Sequence, residues 1–426
     1  MTARMPPGLS PVRTCLPNGA VVIAKPSSVT PAVTVSVSVP AGSAADPPGG
    51  DGATHFLSRV IDRGTTSRSG EDLADLLDGR GVALSVSAMR HSFVVSCTCL
   101  AEDFSTILAV MGDAIRNPSL PEAEIETRRG EILTAIGQDL DNPAMVAVES
   151  ELAQLYPNGH PYGRRVKGTA ESVRRIDRPM LAALHRARFT PAGLVVVAVG
   201  DVEPGRVADE AGQVFGDWEG GPVPPVVVAS PAPATSRRMT VHPMMNKSQA
   251  DIAYGFNTIS RRDPAYYAFS LLNNVLGQYA MGGRLGDHIR ERQGMAYYAF
   301  SAFEPNLGEG PLVIRAGVNR KNVDRTIAAI DDEVRLMAEA GVTGKELADS
   351  TRYLVGSMPR MLETSAGIAG FLLSCEQFGL GMDHDLRLPA LIGGVTLADT
   401  NDLARRFLAP ERATITVAGP CQRREA

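Results

Sequence analysis

The stretch FTPAGLVVVAVGD at residues 189–201 returns in altered form as FLAPERATITVAGP at residues 407–420. Each joins a Pro-containing turn to a run of strand-forming residues and closes on a glycine, Gly200 in one and Gly419 in the other, 219 positions on. A second set of segments keeps that offset. GVALSVSAM (81–89) and SFVVSCTCL (92–100) alternate like two antiparallel strands and lead into the helical spacing of AEDFSTILAVMGDAIRN (101–117). In the second half GMAYYAFSAF (294–303) and PLVIRAGV (311–318) lead into NRKNVDRTIAAIDDEVRLMAEAG (319–341), with Leu312 where the first half has Phe93. Two separate segments at one offset indicate a duplicated unit.

Between the copies, WEGGPVPPVVVASPAPATSRR (218–238) is rich in Pro, Ala, Val and Gly and reads as a linker. The expected domains are therefore 1–217 and 239–426. Each half also contains a long helical stretch. One starts at Pro121 behind Ser119, and the other follows Thr343 and Glu346 at capping-box spacing. This order predicts an α+β fold of two homologous halves, each a mainly antiparallel sheet packed by helices.

The chain has 426 residues, 44% of them hydrophobic and 21% charged, with a net charge of −5. That suits a soluble globular protein with more than one core and gives no reason to expect nucleic acid as a partner. No apolar run reaches the length of a membrane span, and the N-terminus lacks an apolar leader core, so a cytoplasmic location is expected. Five cysteines are spaced too irregularly for a disulfide framework. Cys97 and Cys99 read as small buried hydrophobes on one face of a strand.

GATHFLSRVIDRGT (52–65) carries the chemical question. His-x-x-Glu-His on a helix sets two imidazoles and a general base around one zinc ion. Here that face carries His55, Ser58 and Arg59. A guanidinium does not ligate a cation, and a serine hydroxyl does not take a proton from metal-bound water as a carboxylate does.

The segment AGSAADPPGGDGATHFLSRVIDRGT (41–65) resembles the zinc-motif region of the insulinase and pitrilysin metallopeptidases, a family that includes the mitochondrial processing peptidases. NGAVVIAKP near the start, GHPYGRRVKGT (159–169) and LVVVAVGDV (194–202) extend the resemblance along the chain. It implies two homologous halves that close like a clam shell around a peptide. It also places the family's third zinc ligand, a glutamate, at Ala135, so the motif positions His55, Ser58, Arg59 and Ala135 keep one ligand of three. Glu131, a turn earlier, would complete no site.

In GGRLGDHIRERQGMAYYAFSAF (282–303), Arg290 and Tyr297 have the spacing of the family's arginine and tyrosine that reach the substrate at the zinc site. Where the family builds its peptidase from two chains, one carries the zinc motif and the other the arginine and tyrosine. The resemblance thus implies a noncatalytic subunit that binds no metal, with zinc on a homologous partner whose His-x-x-Glu-His is intact and a peptide as substrate. The alternative is a structural, assembly or peptide-binding protein that has left peptidase chemistry altogether. A third reading is a self-sufficient peptidase using His55 with Glu131. The plain alternative for the pair itself is that Arg290 meets Glu291 on the surface and Tyr297 fills a half-buried sheet position.

Overall fold

Val33, Val35, Val37 and Val39 alternate with Thr34, Ser36 and Ser38 in β3 (Ala32–Val39), and all four valines are buried together. Side chains two apart share a face of a strand, so this pattern commits one face to a core. The computed structural model describes residues 8–279 and 282–422. Its first sheet also contains β1 (Val12–Cys15), β2 (Val21–Pro26), β4 (Ser85–Ala88), β5 (Phe93–Leu100) and β6 (Val195–Gly200). The order is β1-β2-β6-β3-β5-β4, with β2 and β6 parallel and the other pairs antiparallel. The second sheet is formed by β7 (Arg238–Pro243), β8 (Gln249–Asn257), β9 (Ala296–Phe303), β10 (Pro311–Asn319) and β11 (Thr414–Gly419). Its order is β7-β11-β8-β10-β9, with β7 and β11 parallel and the rest antiparallel.

The five strands of the second sheet correspond in order to β2-β6-β3-β5-β4 of the first, which adds β1 at its edge. Pro26 pairs with Gly200 in the first, and Pro243 pairs with Gly419 in the second. The duplication and the α+β class read from the sequence are therefore present, in sheets that are mixed because each holds one parallel pair. The helical segments fall at Phe104–Arg116 and Val323–Ala340, as their spacing predicts. The capping box at the head of the helix Gly344–Met361 is formed: Glu346 N–H donates to Thr343 Oγ1 at 3.2 Å, and Thr343 N–H donates to the Glu346 carboxylate at 2.8 Å.

The chain packs as two compact units. Unit 1 comprises the described residues up to Ile136 together with Arg165–Val227 and Pro359–Arg387. In it the valine face packs on Phe56, Leu57, Phe104, Leu108 and Met111. The opposite face, with Val21, Ile23, Val197 and Val199, is covered by Ala369 and Leu372 of the helix Ser365–Phe378. Unit 2 comprises Gly137–Arg164, Val228–Met358 and the described residues from Leu388 on. Ile252, Tyr254, Ile314 and Val417 pack there on Ile327, Ile330 and Val334 of the helix Val323–Ala340. Ala253, Val313 and Ala418 on the other face meet Ala147 of the helix Pro143–Leu155. Each sheet is thus closed by a helix taken from the other half of the sequence, and packing groups the chain differently from the halves 1–217 and 239–426.

Cys97 and Cys99 lie on one face of β5, buried and unbridged, and burial pushes their thiols up to about 12 and about 11. Residues 219–235 of the linker segment form neither helix nor strand. Among the described residues no helix is long and apolar enough to cross a membrane.

Gly200 and Gly419 end the matching strands in the left-handed region, at φ +143° and +145°. A Cβ on Gly200 would stand 2.1 Å from the Ala32 carbonyl oxygen, and one on Gly419 would stand 2.6 Å from Ala250 Cα. Gly200→Ala and Gly419→Ala are each expected to destabilise by at least about 1–3 kcal/mol. Gly205→Ala, on the helix Pro204–Phe215 with open space around the added methyl, is expected to leave stability unchanged or raise it by up to about 1 kcal/mol. Urea unfolding of the three variants distinguishes these outcomes.

Candidate functional site

In unit 1 the motif helix, Ala53–Val60, is anchored through both its backbone and its side chains. Gly52 begins it in the left-handed conformation, and the buried Asp46 carboxylate accepts from the N–H groups of Gly52 and Thr54, each at 2.8 Å. A carboxylate here satisfies orphan donors and complements the helix dipole. Phe56, Leu57, Val60 and Ile61 are fully buried and fix the helix rotation. That rotation leaves Arg59 on the exposed side, with His55 partly buried.

Ser58 turns inward and donates to the His55 carbonyl oxygen at 2.6 Å, so its hydroxyl is used within the helix. Arg59 extends to Glu131 on the helix Glu122–Leu140, with Nη2 and Oε2 3.4 Å apart and both side chains nearly half exposed. Glu131 also accepts from Arg128 Nη1 at 2.5 Å. The hydrogen bond from Arg128, with help from Arg59, holds the Glu131 carboxyl below its ordinary value. Two guanidiniums beside Glu131 oppose a cation there, and Ala135 contributes only a methyl group one turn further on.

These residues do not fit zinc, which needs about four nitrogen, sulfur or oxygen ligands, with any thiol or imidazole deprotonated. Among the described residues no group of three His, Cys, Asp or Glu side chains is placed to hold a metal. The other histidines serve structure. His185 bonds the Ile115 carbonyl at 2.7 Å, His242 bonds Ser150 at 2.7 Å, and His288 lies 2.6 Å from Glu333. His160 accepts from Tyr162 N–H at 3.0 Å, His384 stacks on Phe371, and His91 is buried, with burial and Arg90 lowering it to about 4.

In unit 2, Arg290 and Tyr297 sit on consecutive elements. Arg290 lies in a wide π-helical turn, Gly286–Arg292, held by the buried Ile289. Gly294, at φ +59°, reverses the chain; its N–H donates to the Arg290 carbonyl at 3.1 Å, and Met295 N–H donates to the Ile289 carbonyl at 3.1 Å. The guanidinium of Arg290 lies 3.6 Å from Glu291, as the surface alternative expected. Tyr297 departs from that alternative: it is 68% exposed. The cause is a β-bulge. Opposite β10, Gly317 pairs with Tyr298 and Val318 pairs with Ala296, so Tyr297 is the extra residue. Period-2 reasoning assigns it a sheet face; the bulge takes it out of the ladder.

A family model for insulinase, peptidase family M16, matches residues 21–170, and one for the peptidase M16 inactive domain matches residues 175–354. The chain belongs to the M16 peptidase family. This M16 chain is 26% identical over 421 residues to an uncharacterized zinc protease of Streptomyces coelicolor, across 97% of its own length and 90% of the relative's. It is 29% identical over 204 residues to the human mitochondrial-processing peptidase subunit beta, across 48% of this chain and 41% of that one. A peptidase M16 inactive domain from Pseudomonas fluorescens has the same fold, with a TM-score of 0.89 over 98% of this chain and 99% of that one at 24% identity.

One residue of this M16 chain escaped the sequence reading. Glu151, on the helix Pro143–Leu155, is fully buried, and neither carboxyl oxygen has a hydrogen-bond partner. It reaches over Gly255 of β8, where a Cβ would stand 1.7 Å from Oε1. The glycine in DIAYGFN was the available signal, because a strand glycine often marks a close approach. Burial raises the Glu151 carboxyl well above its ordinary value, with Arg315 opposing the shift and Glu304 adding to it.

Two outcomes are expected. Wild-type chain purified without chelator carries no stoichiometric zinc, whereas the triple variant Ser58→Glu, Arg59→His, Ala135→Glu takes up one zinc per chain, as elemental analysis would show. For Glu151, an acid with a raised folded-state pKa gives stability that is complete below the unfolded value and is lost as pH rises through the folded one. Glu151→Gln is therefore expected to match wild type near pH 4 and to melt several degrees higher at pH 8, with a flatter pH profile. Thermal unfolding across that range tests it.

Proposed function

We propose that this chain is a noncatalytic subunit of a two-chain M16 peptidase. In this reading it lends Arg290 and Tyr297 to a zinc site carried by a homologous partner with an intact His-x-x-Glu-His, and it helps bind the peptide. The observation that carries the proposal is the contrast between the two sets of residues. The motif positions are filled by groups that satisfy one another, Ser58 on the His55 carbonyl and Arg59 on Glu131. Tyr297 instead stands out of its strand on a bulge, with an arginine on the turn that precedes it.

A phenol and a guanidinium suit one chemical task. Both donate hydrogen bonds, and the guanidinium is a permanent cation, so together they can stabilise an oxyanion that develops on a peptide carbonyl. The similarity to a protein named as a subunit, the human mitochondrial-processing peptidase subunit beta, supports an assembly of two related chains. The Arg290–Glu291 contact favours the second reading, a structural or assembly protein with no part in peptidase chemistry. The self-sufficient peptidase finds no support, because Glu131 is engaged by Arg59 and Arg128.

Co-expression with a homologue that retains the motif decides between the readings. Arg290→Ala and Tyr297→Phe are each expected to lower the kcat of the pair by about 10²–10³-fold, the loss typical of one oxyanion donor. Activity equal to that of the unmodified pair in both variants would leave the assembly reading standing, and absence of a complex would remove the subunit proposal.

A further inference from the structure

Tyr297 is exposed because a bulge expels it, and β9 has a neighbour on one side only to hold that bulge in place. An extra residue in an edge strand can be accommodated at more than one position, and a shift by one place exchanges the faces of the side chains involved. Here the choice lies between two chemically identical neighbours, Tyr297 and Tyr298. The sheet has to specify which of them stays in the ladder.

The row of residues beside the bulge makes that choice. Gly317 of β10 pairs with Tyr298 on one side and with Asp251 of β8 on the other, so the three stand in line across three strands. Gly317 has no side chain, and the Tyr298 ring occupies the space above it. A Cβ there would stand 2.5 Å from the ring's Cε1 and 2.4 Å from Gln249 Nε2. The ring thereby spans the middle strand, and its hydroxyl donates to the Asp251 carboxylate. Asp251 is buried and accepts a further bond from Gln249 Nε2 at 3.1 Å. Arg315, two residues before Gly317 on the same face, holds its guanidinium 5.6 Å from the Phe300 ring centroid.

We infer that Tyr298, Gly317 and Asp251 form a crossbar that fixes the bulge and so positions Tyr297. The three are positioning residues that touch no substrate, and their functional importance rests on the role proposed above for Tyr297. The crossbar explains a combination that single elements do not: a glycine in the second strand, a carboxylate buried in the third, and a tyrosine in the edge strand, all in one register row. Buried hydrogen-bonded groups of this kind are costly when half satisfied, so they favour one register over its neighbours.

The test uses the full chain containing 3-fluorotyrosine, with the fluorine resonance of Tyr297 assigned by its loss in Tyr297→Phe. In Tyr298→Phe and in Asp251→Asn that resonance is expected to move toward the position of the free amino acid and to sharpen, while far-ultraviolet circular dichroism stays unchanged. Gly317→Ala is expected to do the same; if it does not fold, the other two variants still decide. A Tyr297 resonance that keeps its position in both Tyr298→Phe and Asp251→Asn overturns the crossbar. In the co-expressed pair, Tyr298→Phe is expected to lower kcat roughly 10- to 100-fold with KM unchanged, and to add nothing to Tyr297→Phe. A resonance shift without any effect of Tyr297→Phe on activity would sink the role proposed for Tyr297 while leaving the crossbar in place.

Discussion

The parallel pairing of β2 with β6, and of β7 with β11, is the constraint from which the rest of each repeat follows. Parallel neighbours cannot be joined by a tight turn, so the chain must leave the sheet and return along it. In each repeat that excursion contains three further strands and long helices, and the returning strand closes the loop at a glycine backed against the next strand. The closure sits toward one side of the sheet, whereas β4 and β9 lie at the free edge on the other. Residues near that edge are held by one neighbour only. They can be altered, bulged or exposed at little cost to the closure.

The motif helix shows how scaffold and chemistry separate. Its inward residues, Phe56, Leu57, Val60 and Ile61, belong to the core, and Asp46 satisfies its first turn. The positions that would ligate a metal lie outside that set. Arginine and alanine at those positions take nothing from the core, and Arg59 places a positive charge opposite Glu131. Such an exposed pair contributes at most about 1 kcal/mol to stability.

Much of this architecture was legible in the sequence, for reasons that can be named. A constant offset survives divergence, so Gly200 and Gly419 or Phe93 and Leu312 reveal the duplication even though few other residues agree. Amphipathic spacing located the long helices and the capping box at Thr343 and Glu346. Other features left no periodic trace. The pattern of the helix Pro143–Leu155 shows that it buries a face, yet nothing in it names the sheet that receives that face. Glu151 looks like a solvent-facing acid until Gly255 is found beneath it. A bulge removes one residue from an alternation whose neighbours remain in phase, so Tyr297 reads as an ordinary strand position.

The grouping of the helices has a consequence for how such a chain can be divided. A break in the linker after Trp218 would produce two fragments, each with a complete sheet and each lacking the helix that covers its second face. The N-terminal fragment would present Val21, Ile23, Val197 and Val199 to water, and the C-terminal fragment would present Ala253, Val313 and Ala418. Each half of the sequence relies on a helix from the other to cover one face of its sheet. The apolar faces uncovered by such a break are the surfaces through which the two fragments would recognise each other.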